Sequence, residues 1–194
     1  MKTQTMMIAA ALLAAPAVHA AEMKMPTGAV DLYYLHNTFD PDPGGSDSAS
    51  GIGVRGWATI TGPWFGAAQY ETSDHGPYDI QDARIGGGYA WINDPATVYA
   101  MASYVNFGND LDQDGVALDG GVRYHLTPQF DLKGELGWIG TQDTSGLEGA
   151  VGGQFAFNRN WGAFAEYHMY GFNGSGGTPD GNLSDLRIGA SYMF

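Results

Sequence analysis

From Gly28 onward the chain alternates apolar and polar side chains with a period of two, in stretches of about ten residues separated by turn-forming residues. The pattern predicts strands at Gly28–Asn37, Gly51–Ile60, Trp64–Glu71, Ile80–Ile92, Thr97–Phe107, Val116–Leu126, Phe130–Ile139, Leu147–Phe157, Trp161–Tyr170 and Ser184–Phe194. Connections alternate in length. Thr61-Gly62-Pro63, Asn93-Asp94-Pro95-Ala96, Thr127-Pro128-Gln129 and Asn158-Arg159-Asn160 read as tight turns. Thr38–Ser50, Thr72–Asp79, Gly108–Gly115, Gly140–Gly146 and Gly171–Leu183 read as longer loops. Short and long connections in alternation predict an up-and-down antiparallel barrel of ten strands, with both termini on the short-turn side.

The two faces of each strand differ in the solvent they suit. Asp82 and Arg84, Asp119, Arg123 and His125, Asp131, Lys133 and Glu135, Glu166 and His168, and Asp185 and Arg187 are each separated by even spacings, so each set shares one face of its strand. A sandwich would alternate as well. Aromatic placement separates the two folds: Trp64, Trp91, Tyr124, Phe130, Phe157, Trp161, Tyr192 and Phe194 sit on the apolar phase beside tight turns or the chain end. A second set, Tyr34, Tyr70, Tyr104, Trp138 and Tyr167, lies toward the long loops. Two bands of amphipathic rings predict the interfacial girdles of a closed transmembrane barrel with lipid outside and charges within.

Composition narrows the picture. Lys plus Arg number 8 against 21 Asp plus Glu, a formal charge of −13, which excludes the basic footprint that nucleic acid requires. The chain has no cysteine, hence no disulfide and no thiolate metal site. Lys2, the apolar run Met6–Ala15 and the small residues of Val18-His19-Ala20 predict a signal peptide over residues 1–20, cleaved before Ala21. The barrel domain is then expected over 21–194.

The last strand carries a motif. Arg187, Gly189, Tyr192 and the terminal Phe194 resemble the assembly signal of outer-membrane barrels, in which a polar residue, a glycine, an aromatic and a final aromatic recur at this spacing. Arg84-Ile-Gly-Gly-Gly-Tyr89 and Gly121-Val-Arg-Tyr124 are similar to strands of the small OmpA-like and opacity-type barrels. The resemblance implies an outer-membrane location and recognition by the barrel assembly machinery. Eight strands in the resembled OmpA-like domain stand as the alternative to ten.

The inner phase predicts a lumen charge network of Asp31, Arg55, Glu71, Arg84, Asp119, Arg123, Lys133, Glu135, Glu166, His168 and Arg187. Signs alternate between neighbouring strands, as in Arg55, Glu71, Arg84 and in Glu166, Arg187, Asp31, which predicts mutual neutralisation and a plugged bore. Glu166-x-His168 could serve as an acid–base pair of a rim or lumen hydrolase, although lumen salt bridging accounts for it without catalysis. Asp110, Asp112 and Asp114 repeat the first half of a Ca²⁺ loop, but Gly121 stands where the bidentate glutamate belongs. The long loops hold Asp40, Asp42, Asp47, Asp74, Asp79, Asp143 and Asp180 besides, and neither Lys nor Arg. Loop-bound Ca²⁺ or Mg²⁺ bridging to lipopolysaccharide, or simply a repulsive acidic rim suited to high ionic strength, is the expectation, with no resident cofactor. The sequence therefore predicts a non-enzymatic outer-membrane barrel with a structural or surface-interaction role; a narrow passive channel is the alternative.

Overall fold

In the computed structural model, residues 26–42, 44–74, 79–109, 113–174 and 180–194 are described. The predicted signal segment, together with Asp110 and Asp112, lies outside them. Ten strands form: β1 Gly28–Asp42, β2 Asp47–Thr61, β3 Trp64–Asp74, β4 Asp79–Asn93, β5 Ala96–Asn109, β6 Gln113–Thr127, β7 Phe130–Thr141, β8 Thr144–Ala156, β9 Trp161–Gly174 and β10 Asp180–Met193. Each pairs antiparallel with its chain neighbours, and β10 returns to β1, closing the sheet. The count is ten, not eight. Closure leaves no unpaired edge, the condition for a strand structure in hydrocarbon.

Turn chemistry explains the tight end. Gly62 takes a left-handed φ of +53° between β2 and β3, a conformation that side chains with a Cβ resist. Asn158 Oδ1 accepts from the backbone N–H groups of Asn160 and Trp161, both at 2.9 Å, closing the β8–β9 turn on itself. Thr127 Oγ1 accepts from Phe130 N–H at 3.0 Å at the start of β7. Phe194 N–H donates to Gly28 O at 3.0 Å and Phe194 O accepts from Thr27 N–H at 2.7 Å, which ties the two ends of the sheet together.

The opposite end departs from the predicted boundaries. Strands run to 11–15 residues, beyond the roughly 9–11 that a bilayer crossing needs, and the excess extends the hairpins past the upper aromatic band. Gly140–Gly146, expected as a long loop, is a tight hairpin with only Gln142 and Asp143 between β7 and β8. Thr141 Oγ1 donates to Thr144 O at 3.1 Å and accepts from Thr144 N–H at 3.2 Å, making the turn from residues whose composition reads as loop. Gly146 pairs with Ile139 and Phe172 in the ladder, and a Cβ there would collide with the Gly171 carbonyl across the sheet.

The outer surface is apolar. Leu136 is 77% exposed, and Ile60, Leu147, Leu32 and Ile85 are exposed with it. Such an array suits lipid, since side chains of this size bury themselves away from water. Trp64, Tyr89 and Trp91 pack ring against ring at 5.1 and 4.7 Å, and Trp161 meets Tyr192 at 5.0 Å, forming a ring belt at the tight-turn end. Polar burial lies inside.

Candidate functional site: the charged lumen

Every residue of the predicted lumen set occupies an inward position, because register carries the phase of one strand to the next. Space for long side chains comes from glycines opposite them. Tyr33, Gly53 and Glu71 share a row across β1, β2 and β3; Tyr99, Gly121 and Glu135 share one across β5, β6 and β7. In both rows the tyrosine ring lies where a glycine Cβ would stand and its hydroxyl reaches the glutamate beyond. Tyr33 donates to Glu71 Oε1 at 2.6 Å, and Tyr99 donates to Glu135. The sheet uses one device twice.

Arg55 meets Asp31, its register partner on neighbouring β1, as sign alternation suggests, but the cations also reach across the bore. Arg55 on β2 binds Asp31 at 2.7 Å and holds both oxygens of Glu166 on β9, at 2.5 and 2.7 Å. Its guanidinium also stacks over the Phe164 ring, 4.6 Å from the centroid. Arg187 on β10 is 1% exposed and donates to Glu71 on β3 at 3.0 Å, to Asp185 at 3.0 Å and to the Tyr170 hydroxyl at 3.0 Å. Arg84 on β4 joins Asp82 at 3.1 Å to Glu148 on β8 at 2.9 Å. Lys133 Nζ lies 3.7 Å from Glu166 and 3.9 Å from Glu135. Arg123 donates to Gln154 at 3.4 Å and covers the ring of Trp57 on the far side. Asp119 flanks Gly137 in register, and a Cβ on Gly137 would meet its carboxylate.

Glu148 and the lumen tyrosines Tyr33, Tyr99 and Tyr170 were absent from the predicted network. The signal for Glu148 was its parity against outward Leu147 and Val151; for the tyrosines no charge marked them. With Asp82, Asp131 and Asp185 also inward, carboxylates outnumber cations among the described lumen residues.

His168 Nε2 stands 3.1 Å from Glu166 Oε2 and 3.2 Å from Arg187 Nη1. One nitrogen can donate to the carboxylate or accept from the guanidinium, not both. The residue is 7% exposed and lies well below the end of β9, since that strand continues to Gly174. Asp114, the described member of the Asp110–Asp114 set, accepts from Gln142 Nε2 at 2.7 Å and from the Tyr104 hydroxyl at 3.2 Å. Register also brings together two residues that chain spacing kept apart: His36 faces Ser50 on the outward surface, Nδ1 to Oγ 3.3 Å, where Tyr34 also donates at 2.6 Å. Above Arg187 lies a cavity of about 30 Å³, bounded by Leu35, Asn37, Phe172 and Asp185 among others.

A family model described as the outer membrane protein beta-barrel domain matches residues 7–194. Among solved structures, an outer-membrane channel from Pseudomonas putida F1 superposes with a TM-score of 0.54 at 10% identity, covering 91% of this chain and 100% of that one. Neisserial surface protein A gives 0.52 at 14% identity, covering 87% and 97%. The translocator domain of the autotransporter NalP from Neisseria meningitidis gives 0.52 at 13% identity, covering 89% and 90%. At these identities the likeness is one of fold. Comparison with curated proteins finds no significant match.

Proposed function

Because the chain belongs to the outer membrane protein beta-barrel domain family, we propose that it is a plugged, non-enzymatic barrel serving a structural or surface-interaction role. Its place in the outer membrane follows from the family. The supporting observation is Arg187, 1% exposed and joined to Glu71 three strands away. A solute path at that height requires breaking a buried pair, which costs about 3–5 kcal/mol when one partner is removed. Purified protein in planar bilayers is expected to show no steady conductance of porin size. Sustained channel currents would overturn the plug and support the passive-channel alternative.

In this reading Glu166 and His168 are structural, held against Arg55 and Arg187 where a substrate has no entry. Tyr192 and Phe194 point outward from β10, with Arg187 and Gly189 inward, so the terminal motif offers the assembly machinery an aromatic stripe on the last strand. The acidic hairpins face lipopolysaccharide phosphates of the same sign, so divalent cations bridge the two. Chelating Ca²⁺ and Mg²⁺ is expected to lower the melting temperature in lipopolysaccharide-containing membranes and leave it unchanged in phospholipid alone. No difference between the two membranes would remove the bridge.

A further inference from the structure

Two lumen carboxyl groups meet over a glycine. Asp119 on β6 and Glu148 on β8 are both register partners of Gly137 on β7, so they stand in one inward row with no side chain between them. A Cβ on Gly137 would collide with Asp119 Oδ1 and stand 3.1 Å from Glu148 Cγ, so both side chains lean over the same point. The two carboxyl groups are within hydrogen-bonding reach of each other. Both residues are buried, at 6% and 8% exposure. Asp119 Oδ1 and Glu148 Oε1 are closed to water, and neither accepts a hydrogen bond from a donor among the described residues.

The surrounding charges do not resolve this contact. Arg84 reaches from β4 to Glu148 Oε2 at 2.9 Å, and the same guanidinium holds Asp82 at 3.1 Å. Asp119 makes no ion pair among the described residues, so three carboxyl groups share one arginine. Glu135, two residues before Gly137 on β7, adds negative charge; it takes the Tyr99 hydroxyl, and Lys133 stands 3.9 Å away. On β9 Tyr170 is the register partner of Glu148 and is occupied by Arg187, while β5 places uncharged Met101 opposite Asp119. Two carboxylates in contact in a poorly hydrated bore resist carrying two charges. One proton removes a charge and supplies the donor that the facing oxygens lack. Nothing larger fits between oxygens that water does not reach, and among the described residues no three ligating side chains converge as a metal ion requires.

We propose that Asp119 and Glu148 bind one proton between them, a carboxyl–carboxylate pair over Gly137 that the folded barrel holds at neutral pH and the unfolded chain releases. Arg84 keeps the negative charge on Glu148, which leaves the proton on Asp119. The site stands independently of whether the bore conducts. Its consequence for stability has a definite sign. Unfolded Asp and Glu release their protons near pH 4. Above that range the folded barrel carries one proton more than the unfolded chain, so this pair's contribution to stability falls as pH rises.

Infrared spectroscopy of the folded protein in phospholipid vesicles at pH 7 reads the proton directly. An un-ionised carboxyl C=O stretch is expected, shifted in heavy water and lost in both Asp119→Asn and Glu148→Gln; heat-shifted gel mobility confirms that each variant is folded. Urea unfolding gives a second reading. Asp119→Asn supplies a permanent N–H donor to Glu148 and takes up no proton, while the histidines are common to both proteins and cancel in the ratio. The unfolding constant of the wild type relative to Asp119→Asn is expected to rise about tenfold per pH unit between pH 5 and pH 7. Absence of the un-ionised band from the wild type would overturn the proposal whatever the variants do. A band that survives both substitutions places the proton elsewhere and overturns it too, as does a ratio that stays flat with pH.

Discussion

Arg187→Met is expected to destabilise the folded barrel by about 3–5 kcal/mol. The magnitude follows from what the guanidinium leaves behind. Glu71 and Asp185 are both buried and both depend on Arg187, and the Tyr170 hydroxyl oxygen accepts from the same group. Methionine fills much of the volume but supplies neither charge nor N–H, so two carboxylates lose their cation in a narrow, poorly hydrated bore. Urea unfolding in lipid vesicles, followed by tryptophan fluorescence, reads the change directly. Adding Glu71→Gln to Arg187→Met is expected to recover part of the loss, because one of the abandoned charges is then gone. Refolding from urea separates this effect from any role of Arg187 in the terminal assembly motif, since no assembly machinery is present. A loss below about 1 kcal/mol, the range of exposed pairs, would show that the lumen is hydrated enough to screen the network.

Gly53→Val and Gly121→Val are each expected to cost several kcal/mol. A Cβ at either position enters the ring of the tyrosine on the preceding strand, Tyr33 or Tyr99. Overpacking of this kind costs about 1–3 kcal/mol. Moving the ring also withdraws the hydroxyl from Glu71 or Glu135, and an orphaned buried acceptor adds about 1–3 kcal/mol. The same unfolding measurement in vesicles checks both variants. Gly56→Val and Gly120→Val serve as controls: each faces outward, and an added Cβ there meets nothing closer than 3.4 Å. If inward and outward substitutions cost the same, the Tyr–Gly–Glu rows do not contribute as described. Pairing Gly53→Val with Tyr33→Ala is expected to relieve the clash while leaving Glu71 without its donor, so rescue should be partial.

Strand number and the inward or outward sense of each side chain were readable from the chain because both depend on a local period. Each strand has two faces, and Asp119, Arg123 and His125 cannot share a face with Leu118, Val122 and Tyr124. Girdle aromatics were readable for the same reason. Boundaries at the long-loop end were less so. Thr141 and Thr144 look like loop residues, and only the hairpin they close makes them strand ends. The network's membership was largely legible, whereas its pairing was not. Neighbouring-strand order suggested that Arg55 would meet Glu71, yet Arg55 turns to Asp31 and Glu166, and Glu71 takes Arg187 and Tyr33.

Sequence alone determined the solvent partition of this protein: which atoms face hydrocarbon, which face the bore, and that ten amphipathic strands must close to satisfy their backbones. Tertiary structure alone decided who meets whom inside, because cross-bore distances depend on strand register and on where glycines let long side chains lie flat. Glu148 reaches Arg84 from four strands away, and Asn37 and Asp185 line one cavity from β1 and β10. Period two sets a direction for each side chain; only closure of the sheet sets its partner.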